Sequence, residues 1–96
     1  MFARTSIWKG SPEALRRWAE QVETGVGPFV SGLPGNAGAF FLVDRAGGQA
    51  LTLTLWESEE AARASDEAAD RSRARTIAAT GVELVERGRY EVAASV

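Results

Sequence analysis

Between Asn36 and Glu57, two runs of strand-forming residues, NAGAFFLVDR and QALTLTLWE, are separated only by Ala46-Gly47-Gly48. Glycine supplies the positive φ that tight turns require, so this short link makes the pair a β-hairpin in the middle of the chain. Its flanks mirror each other in kind. FARTSIW, Phe2 to Trp8, alternates like a strand, and Lys9-Gly10 turns it into a segment with helical spacing. On the far side, Ser58-Glu59-Glu60 opens a second helical segment, Thr80-Gly81 ends it, and Val82 to Val96 reads as a long last strand. The order is βαββαβ.

That order is the split-βαβ, ferredoxin-like arrangement: an α+β fold with an antiparallel sheet, here a single domain over residues 1–96. Local chemistry agrees with it. Ser11-Pro12-Glu13 suits a helix start, and Leu15, Trp18, Ala19, Val22 and Val26 follow as one apolar stripe. Gly25, Gly27 and Pro28 weaken that helix before a last turn through Phe29 and Val30. The second helix carries Glu59–Arg63 and Glu67–Arg71 at i,i+4, and it is predicted to face the protein with Ala61, Ala64, Ala68 and Ile77. Gly88, inside the last strand, suggests a bulge there.

Composition removes several kinds of function. The chain has neither cysteine nor histidine, which excludes disulfides, thiolate nucleophiles, Ser-His triads and the common zinc sites. Eleven basic against 13 acidic residues give a formal charge of −2 with no long run of one sign. A nucleic-acid partner would need a concentrated basic face, so none is expected. No apolar run approaches the ~20 residues that span a bilayer, and MFARTSIWKG lacks the pattern of a signal peptide. The expectation is a cytoplasmic protein with no membrane partner.

Both helices of such an arrangement cover one face of the sheet, and the other face is usually polar. Here Phe40, Leu42, Leu51, Leu53 and Leu55 put large apolar groups on both faces. Such a row approaches the few hundred Å² that mark an interaction surface. With no residues left to build a covering helix, a homodimer packed sheet to sheet is expected. Trp8 is expected at the dimer face or its rim.

LPGNAGAFFLVDRAGG, LTLTLWESEEAA and the late YEV resemble the antibiotic-biosynthesis-monooxygenase (ABM) type domain of the dimeric α+β-barrel superfamily, over essentially the whole chain. The resemblance implies a pocket between sheet and helices in each subunit of a homodimer. It also implies one of two activities: oxidation of phenolic polyketides by dioxygen without metal or flavin, or the binding and degradation of haem. Both use a strand-three tryptophan, which maps onto Trp56. The monooxygenases' asparagine, four residues earlier, maps onto Thr52. The haem degraders' asparagine and histidine map onto Ala3 and Asp66. Aspartate is a poor substitute for an axial imidazole, so the residue types argue against haem.

Two roles are open to Trp56, filling a core at a strand end or lining a ligand pocket. Thr52 and Thr54 share its face of the strand, and Ala3 and Thr5 are expected beside them. These residues are small, and opposite an alanine-rich helix they leave room for a cavity. The candidate site is therefore Trp56, Thr52, Thr54 and Thr5, taking a small aromatic or apolar ligand with no cofactor. The implied function is an ABM-like small-molecule-binding protein, extending to cofactor-independent oxidation of an aromatic or polyketide-like compound. The alternative is a non-catalytic homodimeric interaction or regulatory module whose pocket is filled by its own side chains. Arg71, Arg73 and Arg75 are expected on a solvated helix face, with Asp66 and Asp70 in a surface network.

Overall fold

Strands β1 (Phe2–Lys9), β2 (Asn36–Asp44), β3 (Gln49–Trp56) and β4 (Glu83–Glu91) form one sheet in the order β2-β3-β1-β4, with every neighbouring pair antiparallel. The computed structural model describes residues 1–96. The helical segments are α1 (Pro12–Gln21), a π turn (Val22–Val26), α2 (Gly27–Ser31), α3 (Glu59–Ala64) and α4 (Asp66–Thr80). The α+β fold is thus the βαββαβ arrangement predicted from the sequence. No helix is long and apolar enough to cross a membrane.

The first helical segment starts as its sequence dictates. The Ser11 hydroxyl accepts from the Ala14 amide, and Pro12 follows at a position where no amide donor is needed. Ala14, Leu15, Trp18 and Val22 are buried against Trp8, Ala50 and Val82. Burying each large side chain of this set contributes on the order of 1.5–3 kcal/mol. The Trp18 ring meets Phe41 edge-on at 6.4 Å. Trp8, expected at the sheet-to-sheet rim, is 3% exposed in this core. It shares its face of β1 with Arg4 and Ser6, and that face turns to the helices.

The π turn answers Gly27 and Pro28. Proline removes one helical donor, and its ring crowds the carbonyl four residues back. Widening the helix by one residue relieves that crowding, and the Gly27 amide donates to the Val22 carbonyl. A Cβ on Gly27 would lie 2.7 Å from that oxygen, so the turn requires glycine.

The second helical segment departs from the sequence expectation in two ways. It breaks at Ser65, whose amide and hydroxyl both bond to the Ala62 carbonyl, at 3.2 and 2.8 Å. Its inward face is Ala62, Ser65, Thr76 and Thr80 rather than the alanine stripe, and Ala64 and Ile77 are exposed. The threonine hydroxyls donate to carbonyls one turn earlier, Thr76 to Ser72 and Thr80 to Thr76, which lets polar side chains face inward. The Glu59–Arg63 and Glu67–Arg71 pairs form at 2.6 and 2.9 Å.

Strand β4 ends at Glu91 rather than running to Val96. Its bulge is not at Gly88. Ile7 faces Glu86 and Trp8 faces Leu84, so Val85 is the extra residue. Gly88 stays in register opposite Thr5, and a Cβ there would lie 2.6 Å from the Tyr90 ring. The glycine makes room for that ring.

The other face of the sheet has no covering element. Leu53 pairs with Thr5 and Phe40, Leu51 with Ile7 and Leu42, and these side chains share the open face. Phe40 is 59% and Leu42 52% exposed.

Candidate functional site

Register decides which side chains meet under the helices. Arg4 pairs with Thr54, Ser6 with Thr52, and Trp8 with Ala50, so the even-numbered residues of β1 and β3 face the helices together. They floor a cavity of about 50 Å³. Val22, Val26, Phe29, Val30 and Leu33 close one side of it, and Ala69, Ser72, Arg73 and Thr76 of α4 close another. All three tryptophans of the chain line it.

Three of the four sequence candidates, Thr52, Thr54 and Trp56, stand on its wall. The fourth does not. Thr5 pairs with Leu53 on the open face, because the β1–β3 register sets its parity opposite to that of Thr52 and Thr54. Ala3, expected beside it, pairs with Leu55 on that same face. Their places on the floor are taken by Arg4 and Ser6.

The buried indoles and the threonines satisfy one another. Trp56 Nε1 donates to Thr54 Oγ1 at 3.0 Å, and Trp8 Nε1 donates to Thr52 Oγ1 at 3.2 Å. Each threonine oxygen accepts in these contacts and keeps its own O–H as a donor. Trp56 is 1% exposed, so it is both core and cavity wall.

Arg4 was not singled out by sequence reasoning. Its Nη1 donates to Ser65 Oγ at 2.9 Å and its Nη2 to the Ala62 carbonyl at 2.6 Å, and it pairs with Asp66. At the break, the Ala62 carbonyl accepts from this guanidinium as well as from Ser65. Burial pushes the Arg4 pKa down, against the hydrogen bond and charge of Asp66. A buried arginine needs partners of this kind. The only signal for it was parity, since Arg4 shares a strand face with Trp8.

Asp66, in the first turn of α4, is held by Arg4 and Arg89 together. Partial desolvation alone would raise its carboxyl. The bonds and charges of Arg89 and Arg4 outweigh that and keep it below the usual carboxylate range. Asp70 holds Arg73 and, at 3.4 Å, Arg87. Arg73 was expected on a solvated face, but its side chain is only 13% exposed and it lines the cavity.

Chemically, this is an apolar, aromatic-walled space with the hydroxyls of Ser6, Thr52, Thr54, Ser72 and Thr76 and two guanidinium groups. No carboxylate, tyrosine or other proton-accepting side chain lines it. It can stack on a ring and favour an ionised oxygen on it. A volume of about 50 Å³ accommodates a few small groups. A whole ring system needs the exposed rim, including Phe29 at 41% exposure, to move aside.

Neither a protein-family profile nor a curated protein sequence matches the chain. Solved structures do. The ActVA-Orf6 monooxygenase of Streptomyces coelicolor, crystallised with nanaomycin D, superposes with a TM-score of 0.76 at 17% identity, over 99% of this chain and 89% of its own. SnoaB, a cofactor-independent oxygenase from Streptomyces nogalater, superposes at 0.68 and 15% identity, over 99% and 95%. The haem degrader MhuD of Mycobacterium tuberculosis, with two haems in its active site, superposes at 0.60 and 24% identity, over 100% and 99%. The chain has the fold of these proteins.

Proposed function

We propose that the chain is an ABM-type protein that works as a homodimer and holds an aromatic or other apolar small molecule beside Trp56. The carrying observation is the cavity itself: every tryptophan of the chain lines it, together with the Thr52 and Thr54 hydroxyls. The likeness in fold to ActVA-Orf6 and SnoaB supports the same reading. In it, Trp56 stacks on the ligand, Thr52 and Thr54 donate to its oxygens, and Arg4 and Arg73 favour the ionised form of a phenol. A phenolate is the electron-rich form that can react with dioxygen directly, so cofactor-independent oxidation is the activity that suits this site. The open face of the sheet is the dimer surface, burying Phe40, Leu42 and the leucines of β3 against a second copy.

A binding role without turnover is the second reading. The small cavity and the lack of a proton acceptor on its walls favour it. One experiment separates the two. The protein is titrated calorimetrically with a trihydroxyanthracene, with haemin as a parallel ligand, and oxygen uptake is then followed, all repeated in Trp56→Phe. Saturable phenol binding that weakens in the folded variant, with oxygen consumed, is the expected result. Binding without oxygen uptake selects the second reading. Absence of phenol binding overturns both.

A further inference from the structure

We propose that a cationic cleft beside the cavity is the second half of the same site, so that the ligand is an aromatic acid: an apolar ring ending in a carboxylate. The inference rests on the pocket reading above and adds to it the charge of the ligand.

The cleft lies between α4 and the helix-facing side of β4, has a volume of about 360 Å³, and is walled by Arg4, Asp66, Asp70, Arg73, Arg87 and Arg89, with Gly88 between the last two. Four guanidinium groups face two carboxylates, which leaves its walls with a net charge of +2. Arg4 and Arg89 lie directly opposite each other across the β1–β4 ladder, and Ser6 lies opposite Arg87. Like charges so placed repel. Asp66 bridges the first pair through a single oxygen, and Asp70 bridges Arg73 and Arg87 through a single oxygen as well. Most of the guanidinium N–H groups on Arg87 and Arg89 are therefore left to donate elsewhere. A carboxylate of the ligand supplies both the missing charge and the fork geometry that arginine recognises best.

Continuity joins the two spaces. Arg4 and Arg73 line the apolar cavity and the polar cleft alike. A molecule with its ring against Trp56 and its acid group past Arg4 spans both. The ion-pair cluster has an excess of one sign and opens into a concavity.

The test compares 2-naphthoate with its uncharged methyl ester, in the wild-type protein, in the Arg87→Gln/Arg89→Gln double variant and in Trp56→Phe. Both arginines sit at the outer wall, with Arg87 65% and Arg89 33% exposed, so the double variant is expected to fold. Calorimetry should show the acid bound about tenfold or more tighter than the ester in the wild type. In the double variant that preference should vanish while ester affinity stays unchanged. Equal affinity for acid and ester in the wild type overturns the anion subsite and leaves the pocket reading standing. Acid binding abolished in the double variant but untouched in Trp56→Phe keeps the cleft as an anion site and overturns the pocket beside Trp56. Failure of both probes to bind overturns both.

Discussion

The guanidinium carbon of Arg4 lies 5.4 Å from the centre of the Trp56 ring, and both side chains are buried. A cation over an indole face contributes about 0.5–2 kcal/mol, most where water is excluded. Here it joins the one charged side chain of β1 that faces the cavity to the tryptophan at the strand–helix joint. Arg4→Lys keeps the charge and loses the fork to Ser65, Ala62 and Asp66. It is expected to cost about 1–3 kcal/mol. For a domain of this size that lowers Tm by roughly 4–8 °C per kcal/mol, measured by thermal unfolding.

Asp66 contributes to the acid limb of the stability curve. Its folded pKa lies below its unfolded value, which is about 3.9 for an aspartate. The stability it contributes is present above the unfolded pKa and is lost as pH falls through the folded one. Glu13, held down chiefly by its hydrogen bond from Arg16, shifts in the same sense. Asp66→Asn is expected to flatten the decline below about pH 4 and to cost on the order of 1 kcal/mol at neutrality, the carboxylate being half exposed. Urea unfolding at a series of pH values measures both effects.

Two glycines, Gly25 and Gly27, should respond in opposite directions to the same change. A Cβ on Gly27 meets the Val22 carbonyl at 2.7 Å, whereas one on Gly25 meets only the end of Gln21 at 3.7 Å. Gly27→Ala is expected to destabilise by about 1–3 kcal/mol. Gly25→Ala should stabilise by up to about 1 kcal/mol, because alanine is the better helix former and restricts the unfolded chain. Denaturant midpoints of the two variants give the signs directly.

The element order, the helix caps, the hairpin and the two-sided apolar sheet were all legible in the sequence, because each follows from local periodicity or turn chemistry. The inner face of α4 was not. Hydrophobicity pointed to Ile77 there and to Ala64 of α3, while the sides that pack inward carry Thr76 and Thr80 in α4 and Ser65 between the helices, whose hydroxyls donate to carbonyls three or four residues earlier. Trp56, Thr52 and Thr54 could be grouped because they alternate along one strand. Seeing that Thr5 lies on the opposite face required the register between β1 and β3, a relation between distant segments that periodicity does not contain. A buried Arg4 was equally out of reach, since its burial depends on Asp66 and the Ala62 carbonyl.

Thr54→Val removes the acceptor of the Trp56 indole and leaves the volume of the side chain nearly unchanged. The orphaned N–H should cost about 1–3 kcal/mol. Thr52→Val, whose indole bond is longer at 3.2 Å, should cost less. Tryptophan emission and urea midpoints of the two variants rank them.

If the open face joins two copies, a charge at its centre should part them. Leu53 lies between Thr5 and Phe40 on that face. Leu53→Lys is expected to sediment as a folded monomer and the wild type as a dimer, by analytical ultracentrifugation. A wild type that stays monomeric at high concentration would overturn the dimer.

Thr76 of α4 closes its hydrogen bond on the helix that carries it, and Ala69 and Ser72 beside it present little more than a methyl or a hydroxyl to the cavity. No other element relies on these side chains for a bond. One wall of the site can therefore be rewritten residue by residue in descent without disturbing the sheet that forms its floor. A fold arranged in this way separates what must be kept from what may vary, and a lineage can explore new ligands while its framework stays the same.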